Sequence, residues 1–336
     1  MKLKIFKTVL LVFFLQIIAG SVQGQTFKDL AKQAAEAMAN EDYAQAVKSY
    51  SEVIRLNPKF EQAYAARGDA YLLLGKSDEA IKDLSEAIRL NPTNYVAYEL
   101  RATIYYENQK FDLAISDFNS ALEAKPDNRP AFKKLRADAF ALRGKSYYWK
   151  NSYDKAIADF TQALNLQSAV SDIFQQRGVS YYHLGETNKA LSDFNDAVRL
   201  NPKDELSLSG RGLIYLGTGS FLNALQDFER VTKLKPKASN AYDHSAWILA
   251  TCPDDKLRDG KKAVELATKA CELSKWKKYT FVETLAAAYA EVGDFEQAIK
   301  YQKQATSMDG ISETNRTNVQ NRIELYVQHK PFREIK

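Results

Sequence analysis

Histidine and cysteine are scarce in this chain of 336 residues, which contains three histidines and two cysteines. The histidines are His183, His244 and His329, and no HExxH, paired-cysteine or GxSxG motif accompanies them. The GKS strings at Gly75 and Gly144 lack the upstream glycine that a phosphate loop requires. The sequence therefore predicts a protein with no catalytic residues, no cofactor and no metal site.

The two cysteines, Cys252 and Cys271, are the candidates for a disulfide. If Ala246 crosses near Ala263 in a helical hairpin, the two cysteines lie roughly 20 Å apart at a rise of about 1.5 Å per residue. A disulfide requires Cα atoms within about 7 Å of each other. We therefore expect two buried thiols, and the long turn between them leaves a disulfide as the alternative.

A strong excess of one charge is also lacking, because 47 Lys and Arg residues stand against 42 Asp and Glu residues. Without Lys2, Lys4 and Lys7 of the amino-terminal segment, the balance is 44 against 42. A net charge this small does not indicate a nucleic-acid partner.

The amino-terminal segment combines these three lysines with an apolar run at residues 9–19 and small residues up to Gly24. This pattern predicts a signal peptide at residues 1–24, cleaved after Gly24. The run is shorter than the span of about 20 residues that a membrane helix needs, so an uncleaved membrane anchor is the alternative. We expect the mature chain to be exported, either to a periplasm or as a secreted protein.

Residues 61–94 predict two short helices joined by a turn. Tyr64, Gly68, Tyr71 and Leu74 have the spacing of one helical face, and Pro92 ends the second helix. A single hairpin of this size cannot bury its apolar face, so it needs neighbours.

The same residue types recur every 34 residues in eight copies. Counting Glu61 as position 1, every copy has alanine at position 20. These alanines are Ala46, Ala80, Ala114, Ala156, Ala190, Ala224, Ala263 and Ala298. Every copy also has a small residue at position 8. These are Ala34, Gly68, Ala102, Gly144, Gly178, Gly212, Ala246 and Ala286.

This period, with these residues, resembles the tetratricopeptide repeat (TPR) family. The resemblance implies an all-α, right-handed superhelical solenoid of about eight helix-turn-helix repeats within residues 25–310. The repeats are expected near residues 27–60, 61–94, 95–128, 137–170, 171–204, 205–238, 239–274 and 279–310. Residues 311–336 predict a capping helix and a tail.

Eight residues, 129–136, interrupt the period before repeat 4. They correspond to about two helical turns, so they are expected to extend the first helix of repeat 4 beyond its neighbours, with Pro130 in the first turn. Arg129, Lys133, Lys134 and Arg136 make the extension basic. It is either a solvated helix end or a docking site for an acidic partner.

An arginine at position 7 and an aspartate at position 23 occur together in repeats 2 to 6 and are both missing from the other three. The pairs are Arg67 with Asp83, Arg101 with Asp117, Arg143 with Asp159, Arg177 with Asp193, and Arg211 with Asp227. A partly buried guanidinium needs a carboxylate, so we predict an ion pair with a structural role inside each of these repeats. Pairing with the preceding repeat is the alternative.

The resemblance implies that first helices line a concave groove, where partners bind as extended peptides. The candidate groove residues are Tyr106, Lys145, Tyr148, Trp149, Tyr182, His183 and Trp247. Tyrosine is common at position 12 in the family, so packing explains the three tyrosines equally well. Trp149, His183 and Trp247 are less expected, and aromatic side chains of this kind are frequent binding hot spots when they are exposed.

These observations predict an exported, non-catalytic scaffold or adaptor that binds a protein or peptide of unknown identity. An envelope glycan-binding protein that uses the aromatic groove residues is the alternative. An enzyme with an unrecognised site is the third hypothesis.

Overall fold

The computed structural model describes residues 22–123, 130–166, 170–308 and 313–334. Within these ranges the chain is all-helical, with 17 α-helices, one short 3₁₀ helix and no β-strand. The contacts divide it into two compact units, Met1–Leu184 and Gly185–Lys336. The fold is therefore a helical repeat solenoid.

The described residues of the first unit form nine helices. They are α1 (Val22–Ala39), α2 (Tyr43–Leu56), α3 (Glu61–Leu73), α4 (Ser77–Leu90), α5 (Tyr95–Glu107), α6 (Phe111–Glu123), α7 (Pro130–Trp149), α8 (Tyr153–Leu166) and α9 (Ser171–His183). The predicted cleavage point after Gly24 falls within α1, and most of the predicted signal peptide lies outside the described residues.

The second unit contains the remaining helices. They are α10 (Thr187–Leu200), α11 (Glu205–Gly217), α12 (Phe221–Leu234), α13 (Ser239–Thr251), the 3₁₀ helix (Asp255–Leu257), α14 (Gly260–Leu273), α15 (Tyr279–Glu291), α16 (Phe295–Ser307) and α17 (Glu313–Val327).

The turn inside a repeat depends on one left-handed residue at position 15. That residue is Gly75 in repeat 2, with a φ of 76°, whereas repeats 3 and 4 have Gln109 at 58° and Asn151 at 57°. In repeat 2 the Gly75 N–H donates to the Leu72 carbonyl and the Lys76 N–H donates to the Tyr71 carbonyl. These two bonds satisfy carbonyls that would otherwise be left without a partner at the helix end.

Small residues at position 8 leave room for a large side chain at position 24 of the same repeat. A Cβ added to Gly68 would lie 2.9 Å from Leu84 Cγ, and one added to Gly144 would lie 2.9 Å from Phe160 Cε1. The position 20 alanines are all 0% exposed. The close helix contact inside each hairpin therefore explains both recurring small residues.

Helix α7 begins at Pro130 and has 20 residues, whereas α5 has 13. Phe132 and Leu135 in its first turns are buried in the same apolar cluster as Leu100, and the Phe132 ring is 5.3 Å from the Tyr95 ring. That the extension projects beyond its neighbours stays a prediction. One side of the extension packs on α5, because Phe132 and Leu135 share a helical face.

The basic residues of this extension differ in their surroundings. Lys133 and Lys134 are exposed, whereas Arg136 is half-buried, with its guanidinium carbon 5.8 Å from the centre of the Phe140 ring. Arg129 lies outside the described residues. The two lysines therefore form a solvated edge.

Helix α17 covers the end of the second unit. Val319, Ile323 and Tyr326 are buried, and Gln302 Nε2 of α16 donates to the Val319 carbonyl at 3.2 Å. The opposite side is polar, as a terminal helix requires where one face meets solvent.

Cys252 and Cys271 are both buried thiols in two different apolar clusters. No disulfide joins them, as the helix geometry predicts. None of the helices in the described part of the chain combines the length and the apolar character that a membrane span needs.

Candidate functional site

Four of the five predicted arginine–aspartate pairs form ion pairs with two hydrogen bonds, three of them in the first unit and Arg211–Asp227 in the second. Arg67 Nε donates to Asp83 Oδ2 at 2.7 Å, and its Nη2 donates to Asp83 Oδ1 at 2.9 Å. The same geometry recurs in the pairs Arg101–Asp117, Arg143–Asp159 and Arg211–Asp227. In the described part of the chain Arg177 lies in the first unit and Asp193 in the second, so that pair stays a prediction.

Arg67, Arg101 and Arg143 each also lie between two aromatic rings of their own helix, whereas Arg211 is near one, that of Tyr215. The guanidinium carbon of Arg67 is 5.8 Å from the Tyr64 ring centre and 6.0 Å from that of Tyr71. The hydrogen bonds that Arg67 donates to the Asp83 carboxylate raise the pKa of Arg67 above its ordinary value. The side chain is 18% exposed, so the pair is largely withdrawn from solvent.

We call the five arginines at position 7 and the five aspartates at position 23 the ladder. The sequence did not predict a further hydrogen bond, which links each ladder arginine to the preceding repeat. Its Nη1 donates to a polar side chain at position 25 of that repeat. The five acceptors are Ser51 for Arg67, Ser85 for Arg101, Asn119 for Arg143, Thr161 for Arg177 and Asn195 for Arg211.

A signal for this link is present at position 25 of the sequence. The position is Ser, Asn or Thr wherever an arginine follows in the next repeat, but Glu229 stands there before repeat 7, which has no such arginine. Glu229 instead accepts a hydrogen bond from Lys262 Nζ at 2.6 Å. The arginines therefore connect neighbouring repeats as well as the two helices of one repeat.

An aromatic strip runs along the hairpin ends of the first unit. We use this name for Tyr106, Phe111, Tyr148, Trp149, Tyr153, Tyr182 and His183. Trp149 lies nearly parallel to Phe111, with ring centres 6.4 Å apart and an angle of 9°, and meets Tyr148 edge-on at 5.6 Å. Tyr153 stacks on His183 at 4.5 Å and 3°.

Tyr148 connects the two stacks, because its ring centre is 5.7 Å from Tyr153 and 6.0 Å from His183. Trp149 is 60% exposed and Tyr182 is 48% exposed. The strip is thus a continuous set of rings that presents two large side chains to solvent.

The strip contains five predicted groove residues from the first helices and two residues that the sequence analysis missed. Phe111 and Tyr153 are the first residues of α6 and α8. Trp149 and His183 are the last residues of α7 and α9, and Tyr106 is the last but one of α5. The signal was an aromatic at position 17, directly after the turn. This position lies outside the first helices, which the family resemblance marks as the groove lining.

Charged side chains beside the strip are already paired. Lys145 Nζ donates to Asp172 Oδ2 at 2.6 Å, and its side chain is only 19% exposed. Lys150 pairs with Asp112. Lys145, predicted to line the groove, therefore joins α7 to the start of α9 and does not offer an open charge.

Trp247 belongs to the second unit and is not an open groove residue as predicted. Its Nε1 donates to Glu334 Oε2 at 2.7 Å, and its ring centre is 5.7 Å from that of Phe332. The guanidinium carbon of Arg322 lies 5.0 Å from the Trp247 ring centre. The carboxy-terminal segment covers this tryptophan, and nothing in the sequence pattern indicated that it would return to α13.

Models of the tetratricopeptide repeat match residues 32–95, 66–129, 99–172, 171–204, 207–238 and 283–311. Together these matches cover more than half of the chain. The chain belongs to the tetratricopeptide repeat family. A comparison with curated proteins gives no match.

Solved TPR structures share the fold of this TPR protein. The C-terminal part of a TPR repeat-containing protein from Cytophaga hutchinsonii is 19% identical, with a TM-score of 0.56 over 74% of this chain and 97% of that one. A tetratricopeptide repeat protein from Parabacteroides merdae is 18% identical, with a TM-score of 0.50 over 90% and 100%. YrrB, a TPR protein with an unusual peptide-binding site, is 18% identical, with a TM-score of 0.52 over 58% and 97%.

Three carboxyl groups of this TPR protein, those of Asp69, Glu99 and Asp243, are buried outside the ladder and the strip, and burial raises the pKa of Glu99 well above its ordinary value. Burial raises the pKa of Asp69 to about 7, and burial likewise raises the pKa of Asp243 to about 7 although Thr284 donates a hydrogen bond to it. Among the residues that the structure describes, no group of three His, Cys, Asp or Glu side chains is arranged to hold a metal ion. The buried carboxyl groups therefore bear on stability and do not form a candidate metal centre.

Proposed function

We propose that this TPR protein is a non-catalytic interaction module that binds a protein or peptide through the aromatic strip of its first unit. The exposure of Trp149 and Tyr182 on a continuous set of stacked rings supports this proposal. Exposed tryptophan and tyrosine side chains are enriched among residues that dominate binding energy. Because the rings beneath them are packed, the two side chains lose little conformational entropy on binding.

The charges beside the strip favour an apolar or aromatic segment of the partner. Lys145 and Lys150 are engaged by Asp172 and Asp112, so a strongly acidic ligand would first have to displace a carboxylate. The peptide-binding site of YrrB, a protein of the same fold, is consistent with a peptide ligand.

The test is selection of peptides from a displayed random library on the immobilised mature chain. We expect aromatic-containing peptides whose affinity falls by about 30-fold or more with Trp149→Ala, the loss expected at a hot-spot tryptophan. Trp276→Ala is the matched control, because Trp276 is 37% exposed and stacks on Tyr301 in the second unit. Equal affinity for Trp149→Ala and the parent chain would refute the site.

The same variants address the glycan alternative. A glycan array probed with the parent chain and with Trp149→Ala is expected to show no binding that depends on Trp149. Selective glycan binding lost in Trp149→Ala, together with no peptide selection, would replace the peptide proposal with an envelope glycan-binding function.

We also infer that the chain is exported, from the lysines, apolar run and small residues of the segment that ends at Gly24. Mass spectrometry of the chain purified from its own cells is expected to find Gln25 at the amino terminus. A chain that retains residues 1–24 and fractionates with membranes would support the uncleaved anchor instead.

A further inference from the structure

The carboxy-terminal segment of the chain lies against the second unit in the manner of a bound peptide. Helix α17 ends at Val327, and His329 then takes a left-handed φ of 57° and stacks on Phe295, with ring centres 5.0 Å apart. Residues 330–334 follow without regular secondary structure. They return to the end of α13, which is more than 80 residues earlier in the sequence.

Three consecutive residues of this segment contact the second unit. The Phe332 ring centre is 5.7 Å from that of Trp247 and 4.6 Å from the guanidinium carbon of Arg322. Arg333 Nη1 lies 2.7 Å from Glu291 Oε2. The Glu334 carboxylate accepts the hydrogen bond from Trp247 Nε1.

The main chain of α13 completes the contact. Its last carbonyls have no partner within the helix, as at any helix end. Arg333 Nη1 donates to the Ala250 carbonyl at 3.4 Å, and the Glu334 N–H donates to the Thr251 carbonyl at 2.9 Å. The tail therefore satisfies two acceptors that the helix itself leaves open.

The irregular turn of repeat 7 explains why these acceptors are open. Other repeats close the helix end with a left-handed residue, as Gly75 does in repeat 2. After α13 the chain instead passes through Pro253, which has no N–H, and the Asp259 N–H reaches only the Leu249 carbonyl. The longer turn thus exposes a main-chain recognition site that a regular repeat would fill.

The geometry points to a peptide-binding site formed by Trp247, Thr251, Glu291 and Arg322, which the chain's own Phe332-Arg333-Glu334 segment occupies in cis. The partner that fits this site is a protein with an extended segment in which an aromatic residue is followed by arginine and a carboxylate. The tail blocks the site, so this partner binds only after the tail has been displaced. This inference does not depend on the aromatic strip, which lies in the first unit.

The tail is suited to displacement. Phe332, Arg333 and Glu334 are only half-buried, and they lie outside any helix. A short tether gives such a segment an effective concentration of about 1 mM. An added peptide with the same contacts therefore binds the intact chain with an apparent Kd no tighter than about 1 mM.

The test compares the intact mature chain with a chain that ends at Pro331. This shortened chain keeps the His329 and Lys330 N–H donors that close α17 and keeps the stack of His329 on Phe295. The probe is a fluorescent peptide with the sequence of residues 329–334 and an amidated carboxyl end. Fluorescence anisotropy is expected to show binding at least about tenfold tighter to the shortened chain than to the intact chain.

Two controls separate recognition from damage to the fold. The intact-length variant Phe332→Ala with Arg333→Ala should also bind the probe at least about tenfold more tightly than the parent chain, because its tail is released. Probes carrying Phe332→Ala or a scrambled order should lose binding to both variants. Circular dichroism should give the parent helix content in each case.

Unchanged probe affinity in both folded variants would overturn the proposal, as would equal binding of the scrambled probe. A dimer of the intact chain that disappears in the chain ending at Pro331 would also overturn it, because the site would then take the tail of a second copy.

Discussion

Replacing Arg101 with leucine leaves Asp117 buried without its cation. The Asp117 side chain is 8% exposed and receives two hydrogen bonds from Arg101, which also bonds to Ser85 in the preceding repeat. Removing one partner of a buried ion pair costs about 3–5 kcal/mol, because the remaining charge keeps its desolvation penalty. Arg101→Leu should therefore destabilise the first unit by about that amount.

Replacing both partners removes that penalty. Arg101→Leu with Asp117→Leu places two apolar side chains in a largely buried position, so the loss should be smaller than that of Arg101→Leu by about 2–3 kcal/mol. The assay is urea denaturation followed by circular dichroism, with hydrogen exchange of α5 and α6 to locate the loss. Arg199→Leu, which breaks an exposed pair with Asp196, is the control and should change little. A double variant as unstable as Arg101→Leu would refute the pairing as the source of the loss.

Three further predictions follow from packing, protonation and turn geometry. Gly212→Val should destabilise the second unit by about 1–3 kcal/mol in urea denaturation, because even a Cβ would lie 2.8 Å from Phe228 Cε1. Gly217→Val is the steric control, because a Cβ at Gly217 would meet no atom within 4 Å. An equal loss of unfolding free energy in the two variants would contradict the packing argument. The folded-state pKa of Asp69 lies above its unfolded value of 3.8, so the destabilising effect of the Asp69 carboxylate grows as pH rises from about 4 to 7. Asp69→Asn should therefore raise the unfolding free energy by up to about 4 kcal/mol at pH 8 and by less at pH 5. A gain in unfolding free energy that is independent of pH would contradict this. Gln109→Gly should raise the thermal unfolding midpoint, because a left-handed backbone costs a residue with a Cβ about 1 kcal/mol, and a lowered midpoint would contradict the turn assignment.

The ladder shows what the sequence alone could predict. Arg67 and Asp83 change together with their counterparts in other repeats, so comparison within one chain was enough to indicate the pair. The link to Ser51 was missed because serine at a helix surface is ordinary, and only the contrast with Glu229 makes position 25 informative. Side-chain pairs inside a repeat were thus more predictable than contacts between repeats.

The candidate site was predicted less completely. Trp149 and His183 stood out by residue type, but Phe111 begins a second helix, where the groove pattern predicts no contact, and the stack depends on how two hairpins align. Trp247 was placed in an open groove because helical periodicity carries no information about a tail that returns from a distant part of the chain. Phe132 did carry a signal, since an apolar residue in a basic extension indicates a covered face.

A single measurement tests the proposed role of the aromatic strip most directly. In a chain with Trp247→Phe and Trp276→Phe, Trp149 is the remaining tryptophan, since the protein has three. Titration with a peptide selected on the parent chain should shift the Trp149 emission to shorter wavelength and saturate at the binding Kd, because the exposed ring becomes covered. Saturable binding by anisotropy with unchanged Trp149 emission would contradict the assignment of the strip as the binding surface.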